Sequence, residues 1–359
     1  MAGQDRDGPN SPSERPVTFL MPDGRGFHLY GPFEGTPSWP WLEGNTDRSF
    51  SHRRWHALRR EWVIYSAHRQ TRTYKPPAND CPFCPMAPEG ELPLAGFSIA
   101  VFDNKFSSLQ KDAPTPQLIP GLDIPLAPAI GNCEVIVYSS DHKASMASLA
   151  VERRERLVRV WGDRIRALMD VPDIQVVMPF ENRGEEAGVT LYHPHGQIYA
   201  FSYQPPIIEK MAQSFREGFD LSKLTRLPQY VVRDTATAAA LVPPFTRFPY
   251  EMWIVPKRFC PTPAALSPAE ITDVADLLAH VARTYDAFFG RVCPYVMVVY
   301  TAPKGLEDVF PFHIQFQPLL RSPNKMKFVA GVEVGAGSFL VDILPETAAQ
   351  NLRNVEVLS

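Results

Sequence analysis

The densest chemistry of the 359-residue chain lies at 192–202, where His193-Pro194-His195-Gly196-Gln197 leads into an alternating apolar run. Such alternation predicts a β-strand. Side chains two apart share a face of a strand, so His193, His195 and Gln197 point the same way. Three polar groups on one face of an apolar strand are costly unless they are paired or used. An imidazole attacks phosphorus readily and leaves again once protonated, so His195 can carry a phosphoryl-type group between two acceptors. That requires one free ring nitrogen and one N–H fixed on an acceptor. Gln197 can donate to the non-bridging phosphate oxygens as charge builds there. Gly196 is expected where a phosphate or a backbone comes close. A single histidine would equally suit a core satisfied by hydrogen bonds; the repeated polar spacing favours chemistry.

A second cluster is Cys81-Pro82-Phe83-Cys84-Pro85. A redox pair is expected at a helix start near a βαβ unit, whereas these prolines put the cysteines in a loop. Two thiolates at this spacing suit half of a structural zinc site, which wants four ligands in a tetrahedron. His142, at a strand end, and His193 are the candidates for the other half, and a loop with no metal is the plain alternative. A metal on His193 would stiffen the strand that presents His195. Arg69, Arg72, Asn182, Thr190 and Lys327 are candidate phosphate partners, the arginines by bidentate contact. Each taken singly also fits a solvated surface group. Cys133, Cys260 and Cys293 lie in apolar strand contexts and are expected to be buried packing residues. The sequence holds no Walker-type loop, no GxGxxG and no GxSxG.

The elements that must position these groups come in a repeated order. A strand at 133–139 precedes a helix at 149–169, whose Leu157, Trp161, Ile165 and Leu168 make one apolar stripe. Strands follow at 174–180 and through the histidine motif. Then a strand at 250–259 precedes a helix opened by the capping box Ser267-Pro268-Ala269-Glu270 and stopped at Gly290. Strands at 295–301 and 310–320 follow, the latter carrying His313 and Gln315. The offset is constant, 313 − 195 and 315 − 197 both being 118. Two copies of one strand–helix–strand–strand unit are therefore expected, on antiparallel sheet because the connections after each helix are short. The second copy has Pro311 where the first has His193 and has lost half of the polar face. The predicted class is α+β, with an irregular N-terminal arm over 1–50, a first domain over 51–204 and a second over 205–359.

Bulk properties narrow the partners. A net charge of −3 gives no field for nucleic acid or anionic lipid. Hydrophobic and charged contents of 45% and 21% are those of a soluble globular protein. The 37 prolines are roughly twice the usual ~5% and predict short strands and long loops. No apolar run approaches the ~20 residues of a membrane span, and 1–16 lacks the apolar core of a signal peptide. Five cysteines argue against a disulfide framework, so a reducing cytoplasm is expected.

His193-Pro-His195-Gly-Gln197, the Cys-Pro-Phe-Cys loop, Val101-Phe-Asp-Asn104 and Pro318-Leu-Leu-Arg-Ser322 together resemble galactose-1-phosphate uridylyltransferase. This is the nucleotidyl-transferring branch of the histidine-triad superfamily, and the resemblance runs from about Trp55 to Arg353. It implies two histidine-triad-like repeats and a double displacement in which UDP-glucose gives its uridylyl group to His195. A hexose 1-phosphate, typically galactose 1-phosphate, then takes that group. By the same resemblance the zinc ligands are Cys81, Cys84, His142 and His193. Phosphate and uridine contacts fall on Arg69, Arg72, Phe102, Asn104, Asn182, Thr190 and Gln197. A homodimer with shared sites is implied, bringing in Lys327, Phe328 and Glu333. Lys105 stands where relatives often carry an acidic residue, and Phe339 where a glutamine would contact the sugar. The second metal site of some relatives is expected to be absent, only His313 surviving of its histidines. Rival readings are a sugar-nucleotide phosphorylase or hydrolase on the same scaffold, and a non-catalytic nucleotide-binding zinc protein.

Overall fold

The computed structural model describes residues 15–42, 50–71 and 80–357. Strands β1 (Val17–Leu20), β2 (Gly26–Glu34), β3 (His52–His56), β4 (Glu61–Tyr65), β5 (Gly96–Asp103), β6 (Leu126–Pro128) and β7 (Gly131–Val137) precede helix α1 (Val151–Met169). Next come β8 (Val176–Arg183), β9 (His195–Phe201), α2 (Pro206–Arg216), β10 (Val231–Asp234), β11 (Ala238–Leu241), β12 (Met252–Pro256) and α3 (Pro268–Phe289). The chain ends with β13 (Tyr295–Tyr300), β14 (His313–Pro318), β15 (Leu320–Ser322), β16 (Lys325–Met326), α4 (Gly331–Ala336) and α5 (Pro345–Arg353).

Among the described residues, eleven strands form one antiparallel sheet in the order β1-β2-β5-β7-β9-β8-β13-β14-β12-β11-β10. The duplication is visible in that order. The run β5-β7-β9-β8 is mirrored by β11-β12-β14-β13, and the halves meet where β8 pairs with β13, Met297 opposite Glu181. Each repeat therefore has one strand outside its helix-centred unit, β5 in the first, read from the sequence as a strand over 98–102, and β11 in the second. The expectation of antiparallel sheet with a packed helix per repeat holds. Both helices bury their apolar stripes in one core with the inner sides of both sheet halves. Arg154 of α1 donates to the carbonyl of Ala275 in α3 (2.8 Å). The Ser267/Glu270 capping box is formed, and Gly290 closes α3 at φ 63°, a conformation that costs a β-carbon-free residue little.

The expected irregular arm is corrected within the described residues. β2 enters the main sheet against β5, with Phe27 opposite Phe102 and Leu29 opposite Ala100. Phe27 and Leu29 are buried, which is the strand alternation itself. Gly31-Pro32 masks it in the sequence, and the sheet absorbs that pair as a register shift between Tyr30 and Phe33. A separate three-stranded sheet, β4-β3-β6, leads into the one-turn helix Ala67–Thr71 that carries Arg69.

On the helix side, Arg164 reaches Glu134 of β7 with two hydrogen bonds of 2.6 and 3.0 Å, both side chains being buried. Removing one partner strands a buried charge. Glu134→Ala should therefore cost about 3–5 kcal/mol, and Glu134→Leu with Arg164→Met clearly less. Urea unfolding of the single and double variants checks this order.

Candidate active site and metal-ligand cluster

β9 places Gly196, Ile198 and Ala200 toward the helices and His195, Gln197 and Tyr199 on the opposite face. There a cavity of about 390 Å³ opens, lined by His195, Gln197, Tyr199, Arg69, Asn182 and Thr190 together with Met178, Phe180 and the 188–189 turn. The half-buried His195 ring donates from Nδ1 to the carbonyl of His193 (2.7 Å). That bond fixes the tautomer and leaves the Nε2 lone pair for the cavity. Burial holds the His195 pKa below its ordinary value, an effect the carbonyl partly offsets. At neutral pH the ring is thus in its nucleophilic form. Gln197 accepts from Asn104 Nδ2 (3.4 Å), which leaves its own NH2 group for an anion. Arg69 is anchored through Nη1 on the carbonyl of Phe106 (2.6 Å) and on Tyr199 Oη (3.5 Å).

His193 turns its ring the other way. Its Nε2–H donates to the carbonyl of Ser139 (2.7 Å), and its Nδ1 lies 3.6 Å from Cys84 Sγ. His142 Nδ1 is 3.2 Å from the same sulfur. The ligand atoms of Cys81, Cys84, His142 and His193 all lie within 4.8 Å of one another. Two thiols and two imidazoles, the latter with Nδ1 turned inward, fit a tetrahedral soft-ligand metal site. Burial pushes the Cys81 thiol up to about 11 and holds His193 down to about 4. A bound cation reverses the first of these by stabilising thiolate.

The remaining predicted residues are distributed as follows. Phe102 is buried, its ring packed on Phe27 (5.9 Å) and Phe83 (5.7 Å), and it does not line the cavity. Lys327 and Glu333 pair with each other, Nζ to Oε1 2.5 Å, and are buried away from the cavity, whereas Phe328 is exposed. Arg72 lies outside the described residues. Cys133, Cys260 and Cys293 are buried, as expected. At Gly196, which also lines the cavity, the close backbone expected above is the Phe180 carbonyl, 2.8 Å from where a β-carbon would stand; the nearer atom, Tyr138 Oη at 2.3 Å on the helix side, was not foreseen. Two neighbours of His195 escaped the sequence reading. Tyr199 shares the face of His195 and Gln197, and strand periodicity could have found it. Phe83, between the two cysteines, sets its ring edge-on to His195 (5.2 Å, 72°), and nothing in its spacing signals that.

In the second repeat His313 Nδ1 donates to the carbonyl of Pro311 (3.0 Å), the same bond that His195 makes. Gln315 donates from Nε2 to His313 Nε2 (3.2 Å). Here the space is filled by Trp253, Tyr300 and Phe310, with centroids 5.6, 5.2 and 6.2 Å from His313.

Fold and site together define a protein of twin histidine-triad-like repeats, with a tautomer-fixed histidine in one repeat and a Cys2His2 ligand set beside it. Residues 43–205 match the family described as galactose-1-phosphate uridyl transferase, N-terminal domain, and 210–358 match its C-terminal domain. The chain belongs to the galactose-1-phosphate uridylyltransferase family. It is similar to the galactose-1-phosphate uridylyltransferase of Thermotoga maritima, 36% identical over 316 residues, covering 85% of this chain and 98% of that one. The Streptomyces lividans protein of the same name is 32% identical, covering 80% of this chain and 82% of its own. Among solved structures, a uridylyltransferase superposes with a TM-score of 0.76 at 25% identity, covering 84% of this chain and 97% of that one. An ADP-glucose phosphorylase from Arabidopsis thaliana shares the fold, with a TM-score of 0.65 at 19% identity over 86% of this chain and all of that one.

Cys84→Ser should lower the metal content of the purified protein and its thermal midpoint together, because metal-binding energy is folding energy. Metal analysis and calorimetry check the pair of effects.

Proposed function

We propose that the protein is a UDP-glucose–hexose-1-phosphate uridylyltransferase working through a covalent uridylyl-histidine. The observation that carries this reading is the His195 ring, held by its Nδ1–H on the His193 carbonyl with its other nitrogen on a cavity that Arg69, Gln197 and Asn182 line. Nε2 attacks the α-phosphorus of UDP-glucose, the N–P bond forms as the bond to the bridging oxygen breaks, and glucose 1-phosphate leaves. The uridylylated ring keeps its Nδ1 proton and gains positive charge, which the carbonyl dipole of His193 stabilises. A phosphate oxygen of a second hexose 1-phosphate, galactose 1-phosphate by family, then attacks the same phosphorus and frees the imidazole. Arg69 and Gln197 hold the non-bridging oxygens, with Asn182 and Thr190 at the rim. Such preorganised donors act on charge that develops only in the transition state.

Zinc is the metal that best suits the Cys2His2 set, as one structural ion on Cys81, Cys84, His142 and His193. Bound there, it supplies no chemistry beyond locking the strand that carries His195. Homodimer formation is supported by an exposed apolar row, Phe328, Val329, Val332, Val334, Leu340 and Leu344. This row flanks the Lys327–Glu333 pair and would bring that segment to a neighbour's cavity. A cytoplasmic location agrees with five free thiols, and no helix among the described residues is long and apolar enough to cross a membrane.

The test is exchange of labelled glucose 1-phosphate into UDP-glucose without a second sugar. His195→Ala should abolish the exchange, and Gln197→Ala should slow it by about 10²–10³-fold; full exchange by His195→Ala would overturn the reading. Hexose 1-phosphate should outcompete inorganic phosphate as acceptor from the labelled protein. Because the His195 pKa is depressed, the acid limb of the labelling rate should lie below pH 6.5, the ordinary histidine value.

A further inference from the structure

Tyr138 follows directly on β7 and is fully buried on the helix side of the sheet. Its backbone N–H donates to the carbonyl of Pro194 (3.1 Å), the residue before the nucleophile. Its hydroxyl lies against Gly196, the residue after it, so closely that a methyl there would stand 2.3 Å from Oη and 3.2 Å from Cζ. Tyr138 Oη and Glu181 Oε2 are both buried, and Tyr138 and Glu181 are each other's side-chain hydrogen-bonding and electrostatic partners. The other oxygen of Glu181 accepts from Tyr295 Oη (2.9 Å), across the seam between the repeats. The mechanism uses none of these groups.

We infer that Tyr138 is a positioning residue for the nucleophile: it brackets His195, holding the preceding carbonyl with its N–H and filling with its hydroxyl the space of the side chain that Gly196 lacks. This rests on the uridylyl-transfer reading for its kinetic consequence, not for its geometry. Glycine at 196 is then required by the tyrosine hydroxyl and the Phe180 carbonyl behind it. A displacement of about 1 Å at a reacting group costs on the order of 100-fold in rate.

The inference is tested by a size exchange across the contact. Four proteins are compared: the parent, Gly196→Ala, Tyr138→Phe and the double variant. The readouts are the single-turnover rate of His195 labelling by base-labelled UDP-glucose, and the thermal midpoint. Gly196→Ala should label about 100-fold more slowly and melt lower. Removing the hydroxyl in the double variant makes room for the methyl and should recover the rate by about tenfold, only in part because the Phe180 carbonyl remains. Full activity of Gly196→Ala, or a double variant no better than Gly196→Ala, overturns the inference. If Gly196→Ala does not fold, a folded double variant supports the bracket and an unfolded one overturns it. If the parent takes no label, the transferase reading fails, and the thermal midpoints of the four proteins still decide the bracket.

Discussion

Everything at the site depends on one peptide carbonyl, that of His193. It accepts the Nδ1–H of His195 and so decides which nitrogen of that ring is available. The side chain of the same residue points into the thiol cluster, fixed by its own bond to Ser139. A single residue thus ties the orientation of the His195 ring to the cluster of Cys81, Cys84, His142 and its own side chain, and proline between the two histidines restricts the backbone that connects them. A free imidazole would have to lose rotational freedom at every turnover. Here that entropy is removed when the chain folds.

The sheet supplies the distances. β9 sits between β7 and β8, so neither edge of the nucleophile strand is open to slip, and every second residue is committed to a face. On the helix side that commitment is largely apolar, with the Glu134–Arg164 pair and the Tyr138–Glu181–Tyr295 group among its polar members. On the other side it delivers the cavity, to which the small three-stranded sheet adds Arg69 from a remote part of the sequence.

Much of this was legible in the amino-acid order because the groups sit on a strand, where spacing alone fixes direction. His195 and Gln197 were readable for that reason, and Tyr199 would have been with one further step of the same period; His193 lies before β9 and turns its ring to the cysteines, so strand spacing does not fix its direction. The cysteine pair was legible as half of a site; its completion by His142 needed the strand end that precedes α1. The second strand, β2, was hidden because Gly31-Pro32 breaks the alternation that Phe27 and Leu29 begin. The close backbone at Gly196 was legible, but the side chain that also excludes a β-carbon, Tyr138, was not, because it lies 58 positions earlier in the chain (196 − 138). Phe83 was invisible because a loop gives a side chain no fixed direction.

His313 keeps the Nδ1 bond that orients His195 in the other repeat, yet it is packed by four rings, Phe215, Trp253, Tyr300 and Phe310. That does not make the second repeat a bystander, because its Val296 and Val298 line the cavity of the first. A disturbance in either half is therefore felt at one and the same opening.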